Sequence, residues 1–242
     1  MKNIIIENIK TLIYAVIIAL IIRSFLFQPF YIPSSSMEPT LLIGDRLFVS
    51  KYSYGYSRHS FPFSPSNYEK RFIKKDPERG DVVVFKTPSD DRTDYIKRLI
   101  GLPGDKIQII DGDLHINDIK ITKIKSSKTL NINCGKQNFK TNIFQETLPN
   151  GKSYLTAYSK VGTMKNTNVF EVPIKHYFFM GDNRDCSKDS RYLSSVGYVK
   201  STNLVGKARL TFFSNDKSKG SFFKFWKWDE TLRVSRFFKK IK

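Results

Sequence analysis

The chain has 242 residues, 40% hydrophobic and 26% charged, with 41 Lys and Arg against 22 Asp and Glu and a formal net charge of +19. That is enough for one membrane segment and a soluble portion with a real core. Two cysteines, Cys134 and Cys186, exclude a disulfide framework, and their spacing excludes a zinc site or a redox CxxC motif; the excess positive charge calls for an anionic partner, either nucleic acid or lipid.

Residues 1–8 read as a short cytoplasmic N-terminus and residues 9–27 as one transmembrane helix. From Ile9 to Phe27 such a helix is about 28 Å long, close to the hydrocarbon thickness of a bilayer, with Arg23 near enough to its end to snorkel. Small residues at cleavage-site offsets are missing after the apolar core, so the segment reads as an uncleaved anchor. The membrane segment favours lipid over nucleic acid as the anionic partner. Phe25, Phe27, Phe30 and Tyr31 would lie at the interface. Pro33-Ser-Ser-Ser-Met-Glu-Pro39 follows at once. The two prolines restrain Ser34 to Met37, and even fully extended chain from Phe27 to Ser36 spans at most about 30 Å, so these hydroxyls stay close to lipid.

Leu41-Leu42-Ile43 and Leu47-Phe48-Val49 read as short strands about a Gly44-Asp45 turn. Residues 53–79 read as a long surface excursion in which His59 is a solvated loop residue. Val82 to Phe85 is an apolar run of strand length. In Thr93 to Ile100 the period of two puts Lys97 on one face with Tyr95 and Leu99 and turns Arg98 the other way. Ile107 to Ile110, Asp111-Gly112 and Leu114 to Ile116 predict a hairpin. Residues 106–174 read as a β-rich inserted domain without chemistry, in which His115 and Cys134 are ordinary. His176 to Met180 reads as a buried strand leading into the polar block Gly181 to Arg191, where acids and arginines at short spacing can hold a loop rigid. His176 itself reads as a core or strand-end histidine rather than a base. Leu204 to Phe213 predicts a last strand, and 215–242 a basic aromatic tail containing Phe222, Phe223, Trp226 and Trp228.

Four blocks stand in order: Pro33 to Thr40, Gly80 to Phe85, Asp94 to Asp105 and Gly181 to Arg191. Together they resemble the bacterial type I signal peptidases, membrane-bound Ser-Lys proteases that remove signal peptides from exported proteins. The resemblance implies a mainly β fold, with a signal-peptidase-like antiparallel β catalytic domain formed by 28–105 and 175–214. It implies Ser36 as nucleophile, Lys97 as general base, and Ser34 with the Ser36 backbone N–H as oxyanion hole. Ser187 would orient the Lys97 amine. Met37 and Tyr95 would pack at the substrate site, and Gly181, Asp182, Arg98, Asp189 and Arg191 would be its scaffold. Cys186 stands where that family often has Asn, and one span is evident where some relatives have two. Implied partners are signal peptides of exported preproteins and membrane lipid, not nucleic acid, with no metal or cofactor. The implied place is the bacterial inner membrane, crossed once, with the catalytic domain outside.

The residues themselves allow the chemistry. A free lysine has a pKa of about 10.4, so Lys97 must be desolvated to accept a serine proton near neutral pH. Two other readings compete: a single-span basic protein that binds anionic lipid or polymer without catalysis, and a repressor-type self-cleaving Ser-Lys protease.

Overall fold

The structure is a computed structural model and describes residues 2–62, 64, 70–135, 137–159, 164–216, 218–220 and 225–242. Helix α1 (Lys2–Ile21) runs into a π-helical turn, Ile22–Leu26. Its apolar side chains are exposed, as for a helix with no protein around it, and Asn3–Leu26 is long and apolar enough to cross a membrane. The helix therefore starts before the apolar run, at Lys2, and Phe27 already belongs to the first strand. Ser24 is buried, Phe25 packs edge-on against Tyr56 and Phe61, and the Tyr56 hydroxyl donates to the Phe25 carbonyl, which fixes the helix exit to the soluble part.

The strands are β1 (Phe27–Tyr31), β2 (Asp45–Ser50), β3 (Val82–Lys86), β4 (Asp94–Gly101), β5 (Lys106–Ile110), β6 (Asp113–Ile116), β7 (Ile119–Lys120), β8 (Thr122–Cys134), β9 (Gln137–Thr147), β10 (Ser153–Tyr158), β11 (Phe170–Glu171), β12 (His176–Met180), β13 (Val199–Lys200), β14 (Leu204–Ser214) and β15 (Lys239–Lys240). The main antiparallel sheet has the order β1-β2-β14-β3-β4-β12-β13, with β15 beside β14. Strands β10-β9-β8 form a second sheet and β11-β5-β6-β7 a third. This is the mainly β fold expected.

The period-two reading of β4 holds. Leu99 packs with Val83, Phe85 and Phe179 on one face, whereas Ile96 packs with the Met37, Leu41 and Val84 cluster on the other. Burying two such clusters on opposite faces of one sheet fixes its register, because a slip of one residue would exchange the faces.

Several sequence expectations are corrected. Leu41 to Ile43 is not a strand: it is held by turns, with Leu41 N–H on the Met37 carbonyl and Leu42 N–H on the Asp45 carboxylate, 2.9 Å each. His59 is buried, not solvated, in a 3-10 turn; its Nδ1 lies 3.0 Å from the Ser64 hydroxyl, and burial among cations lowers its pKa to about 4. Cys134 is not an ordinary residue of the inserted segment, since it forms a disulfide with Cys186. Described residues of the C-terminal segment pack on the sheet: β15 pairs with β14, and Arg236 binds the buried Asp45 carboxylate, Nε to Oδ1 at 2.9 Å. Trp226 and Trp228 are exposed, and Phe222 and Phe223 lie outside the described residues.

Candidate active site

Pro33 and Pro39 bracket a 3-10 turn, Ser35–Met37, whose last N–H bond runs from Glu38 to Ser35 at 3.0 Å. Pro39 has no N–H to continue it, and the Glu38–Pro39 peptide is cis. Met37 is fully buried with Ile32, Leu41, Leu47 and Val49, so its apolar side chain anchors the turn and aims the Ser36 hydroxyl away from that core. The Ser34 hydroxyl lies 3.3 Å from the Ser36 hydroxyl.

Across from this turn, β4 carries Lys97, opposite Val83 in the β3 register. The Lys97 Nζ is 2.8 Å from Ser36 Oγ and 3.0 Å from the Ile96 carbonyl, and it sits 5.1 Å from the centre of the Tyr95 ring. Only 4% of the lysine is exposed. Burial lowers its pKa from 10.5 to about 8; Asp189 and Asp182 oppose that shift and Arg191 assists it. In the charged form the ammonium donates to Ser36 Oγ. Once the proton is lost, the Ser36 hydroxyl can donate to the free lone pair.

The block after β12 forms the floor. Asp182 takes a two-pronged bond from Arg98, Nε to Oδ1 and Nη2 to Oδ2 at 2.7 Å each, and a third from the Thr40 hydroxyl at 2.5 Å. Arg98 Nη1 also reaches the Gly80 carbonyl at 2.7 Å, so β4 is tied to the turn before β3. Asp189 binds Arg191 by Nε and Nη2, 2.8 Å each, and accepts the Gly181 N–H at 2.9 Å. Burial pushes the Asp189 carboxyl up, but Arg191, that N–H and the neighbouring Ser187 hydroxyl outweigh it and hold the group below its ordinary range.

Gly181 is where the blocks touch. A Cβ there would lie 2.2 Å from Ser187 Oγ and 2.4 Å from the Ser36 carbonyl oxygen. Gly181→Ala is therefore expected to displace the serine turn and to slow any reaction that uses the Ser36 hydroxyl by about 10²-fold, the scale of an ångström-sized misplacement; steady-state kinetics and the melting temperature of the purified variant check it, and an unchanged rate would mean that the turn is free to move.

Ser187 is buried in the site, but its hydroxyl makes no hydrogen bond of good geometry, and the Lys97 amine bonds to Ser36 and Ile96 instead. The structure brings Ser34, Ser36, Met37, Tyr95, Lys97 and the Gly181 to Arg191 loop together and leaves the contact between Ser187 and Lys97 unmade.

Three further supports were not singled out in the sequence. Asn183 pins the serine turn twice, its side-chain amide on the Ser35 carbonyl and its backbone N–H on the Ser36 carbonyl, both at 3.1 Å. Arg184 is buried against Glu146 of β9, with Nη2 to Oε2 at 2.7 Å, and bonds the Tyr154 and Tyr158 hydroxyls of β10 at 2.9 Å each. The Cys134–Cys186 bond joins the end of β8 to the residue before Ser187. Residues 106–174 thus carry groups that buttress the loop. Only the clustering of polar residues at 181–191 hinted that such partners must exist, because buried guanidinium groups need them.

A cleft of about 450 Å³ opens beside Ser36 and Lys97, its walls including Phe30, Ile32, Val84, Tyr95 and Ile96. Strand β12 pairs with β4 only at Arg98, Leu99 and Gly101, so among the described residues Asp94 to Lys97 have no strand partner on that side.

The family described as "Signal peptidase, peptidase S26" matches residues 5–213. The chain is 41% identical over 253 residues to the Signal peptidase I of Rickettsia typhi, with 97% of this chain and 93% of that protein covered. It is 41% identical over 245 residues to the Signal peptidase I of Rickettsia prowazekii, covering 94% and 90%. A crystal structure of a signal peptidase I from Enterococcus faecalis V583 matches with a TM-score of 0.33 and 26% identity, over 55% of this chain and 97% of that one.

Proposed function

The chain belongs to the signal peptidase family, peptidase S26, whose members are serine peptidases that cleave signal peptides, and from that premise we propose that Ser36 and Lys97 form its catalytic dyad. The observation that carries this reading is the 2.8 Å contact between a buried amine and a serine hydroxyl on a pinned turn.

Neutral Lys97 takes the Ser36 proton as Oγ adds to the carbonyl carbon before the cleaved bond. The Ser34 hydroxyl and the Ser36 backbone N–H receive the negative oxygen. The lysine then gives its proton to the departing amine, and a water activated by the same amine releases the acyl group from Ser36. Arg98, Asp182, Gly181, Asp189 and Arg191 hold these groups in place. Ser187, whose buried hydroxyl has no hydrogen-bond partner of good geometry, is the group we assign to orienting the amine. The substrate lies extended along the unpaired half of β4, adding a strand, and its small side chains enter the cleft walled by Ile32, Val84 and Ile96.

We place the chain as a single-pass protein of the bacterial inner membrane with the catalytic domain outside. The exposed apolar helix, Lys2 and Lys10 before the apolar run, and a disulfide, a bond that persists in oxidising compartments, support this. Basic charge and the exposed Trp226 and Trp228 suit an anionic lipid surface. Residues 28–105 and 175–214 act as the catalytic unit, with 106–174 as its inserted buttress.

With the Lys97 pKa at about 8, roughly one molecule in five is in the active form at pH 7.4. The value of kcat/KM on a preprotein in detergent is expected to rise about tenfold per pH unit below 8 and level off above it, with Ser36→Ala inactive throughout. Burial also lifts the Glu38 carboxyl, near the turn, to about 7, so the inflection near 8 must persist in Glu38→Gln. Cleavage by Ser36→Ala, or a flat profile, would refute the dyad.

A further inference from the structure

Where the span meets the sheet there is a groove of about 810 Å³ between the last turns of the helix and the β1-β2-β14 face. Its apolar wall includes Ile22, Phe27, Phe48 and Leu210. Phe48 stacks on Phe212 with ring centres 4.3 Å apart and meets Phe27 edge-on at 6.4 Å, so the aromatic surface continues past the groove. Its polar side carries Arg23, Gln28 and Arg209.

The two guanidinium groups differ from the buried arginines that hold the 181–191 loop and the C-terminal segment. Arg98, Arg184, Arg191 and Arg236 are all neutralised by carboxylates. Arg209 bonds only hydroxyls, Ser50 Oγ at 2.8 Å and Ser53 Oγ at 2.9 Å, and among the described residues neither it nor Arg23 has an acidic partner. Arg209 falls where the β14 register against β2 shifts, between Ala208 and Leu210, and such a bulge re-aims a side chain. On the far side of Arg23, Asp91 and Asp94 are paired with Arg58 and Lys86, and Asp90 is bonded by Thr87 and Thr93. Two planar donors without an ion pair in the lining of one apolar groove match a phosphate, which accepts forked bonds from arginine.

We propose that this groove binds one molecule of an anionic glycerophospholipid, its phosphate held by Arg23, Gln28 and Arg209 and an acyl chain lying against Ile22, Phe27, Phe48 and Leu210. The inference rests on the reading of the N-terminal helix as a membrane span, because that alone brings the groove to the level where the apolar run ends and headgroups begin. A choline headgroup would set a second cation beside two arginines that make no ion pair among the described residues, so the site favours a lipid with net negative charge. A purely apolar occupant, such as a peptide helix, would leave both guanidinium groups without an anion.

The test is native mass spectrometry of the full chain released from nanodiscs of phosphatidylglycerol or phosphatidylcholine, counting retained lipid. The wild type is expected to keep one phosphatidylglycerol, to hold phosphatidylcholine about tenfold less, and to be unaffected by added glycerol 3-phosphate, which carries the headgroup chemistry without acyl chains. Arg23→Gln combined with Arg209→Gln should cut retention about a hundredfold, the loss expected when two charge-assisted hydrogen bonds of about tenfold each are removed. Ile22→Trp, which fills the groove but keeps both arginines, should cut it about tenfold. Lys239→Gln with Lys240→Gln removes equal charge from exposed β15 and should change nothing. Wild-type retention by the double arginine variant, or equal loss in the β15 variant, would overturn the site. Resistance of each variant to alkaline extraction from vesicles reports separately on the span, and cleavage in detergent reports on the dyad.

Discussion

Lys97→Met is expected to abolish preprotein cleavage, by on the order of 10⁴-fold or more, and at the same time to make the folded protein more stable near neutral pH. The first effect follows from removing the amine that lies 2.8 Å from the Ser36 hydroxyl, since the Ser34 hydroxyl beside it is too weak a base to take its place. The second follows from the cost of keeping an amine dry. A fall in pKa from 10.5 unfolded to about 8 folded means that at pH 7 the native state carries a charge it disfavours, at a cost of about 3 kcal/mol. Between pH 8 and 10.5 the unfolded chain binds this proton and the folded one does not, so wild-type stability rises with pH there, and the cost has gone above 10.5. Methionine matches the length of the lysine stem without the charge, but forfeits two hydrogen bonds, so the net gain at pH 7 is about 1–2 kcal/mol, and it shrinks on going to pH 10. Thermal unfolding of wild type and variant at both pH values measures it. A variant less stable than wild type at pH 7, or one that still cleaves, would mean that the amine is neither desolvated nor the base.

Asp182→Ala is expected to cost about 3–5 kcal/mol, because it leaves Arg98 charged, almost wholly enclosed and without its partner. For a chain of this size that is a fall in Tm of about 10 °C. Activity should fall as well, since the lost bonds tie β4, the Thr40 segment and the Gly181 loop to one another. Replacing both members, Arg98→Met with Asp182→Leu, should recover most of the stability and little of the activity, which separates the burial penalty from the positioning role. A loss below 1 kcal/mol in the single variant would show that water reaches Arg98.

Strands with a buried face were legible in the chain: Val82 to Phe85, the alternation of β4, and the hairpin about Asp111-Gly112 all declare themselves by period and turn residues. Leu41 to Ile43 misled for the opposite reason. The run is apolar because Leu41 plugs the core beneath the serine turn, and its backbone is spent on turns that no periodicity encodes. His59 looked solvated because its sequence neighbours are polar, yet those neighbours bond to it and close over it. The partners of Arg184 and Cys186 come from strands 26 to 52 residues away, and pairing across such distances leaves no local trace. The nearness of Ser36 to Lys97 was suggested only by the resemblance of four blocks. Period alone put Lys97 beside Tyr95 but said nothing about which segment crosses that face.

The parts of the site are far apart along the chain. Lys97 lies 61 residues beyond the serine it contacts, Asp182 lies 84 beyond Arg98, and Asn183 grips Ser35 from 148 residues downstream. Contacts of such long range form late in folding, after the loops between them have been closed. A nascent chain therefore displays its serine early but has no means of using it until the stretch through Arg191 has been synthesised and docked. On the proposed dyad, a chain that has not yet docked β4 and the 181–191 loop holds a serine without a base and without the side chain that pins its turn.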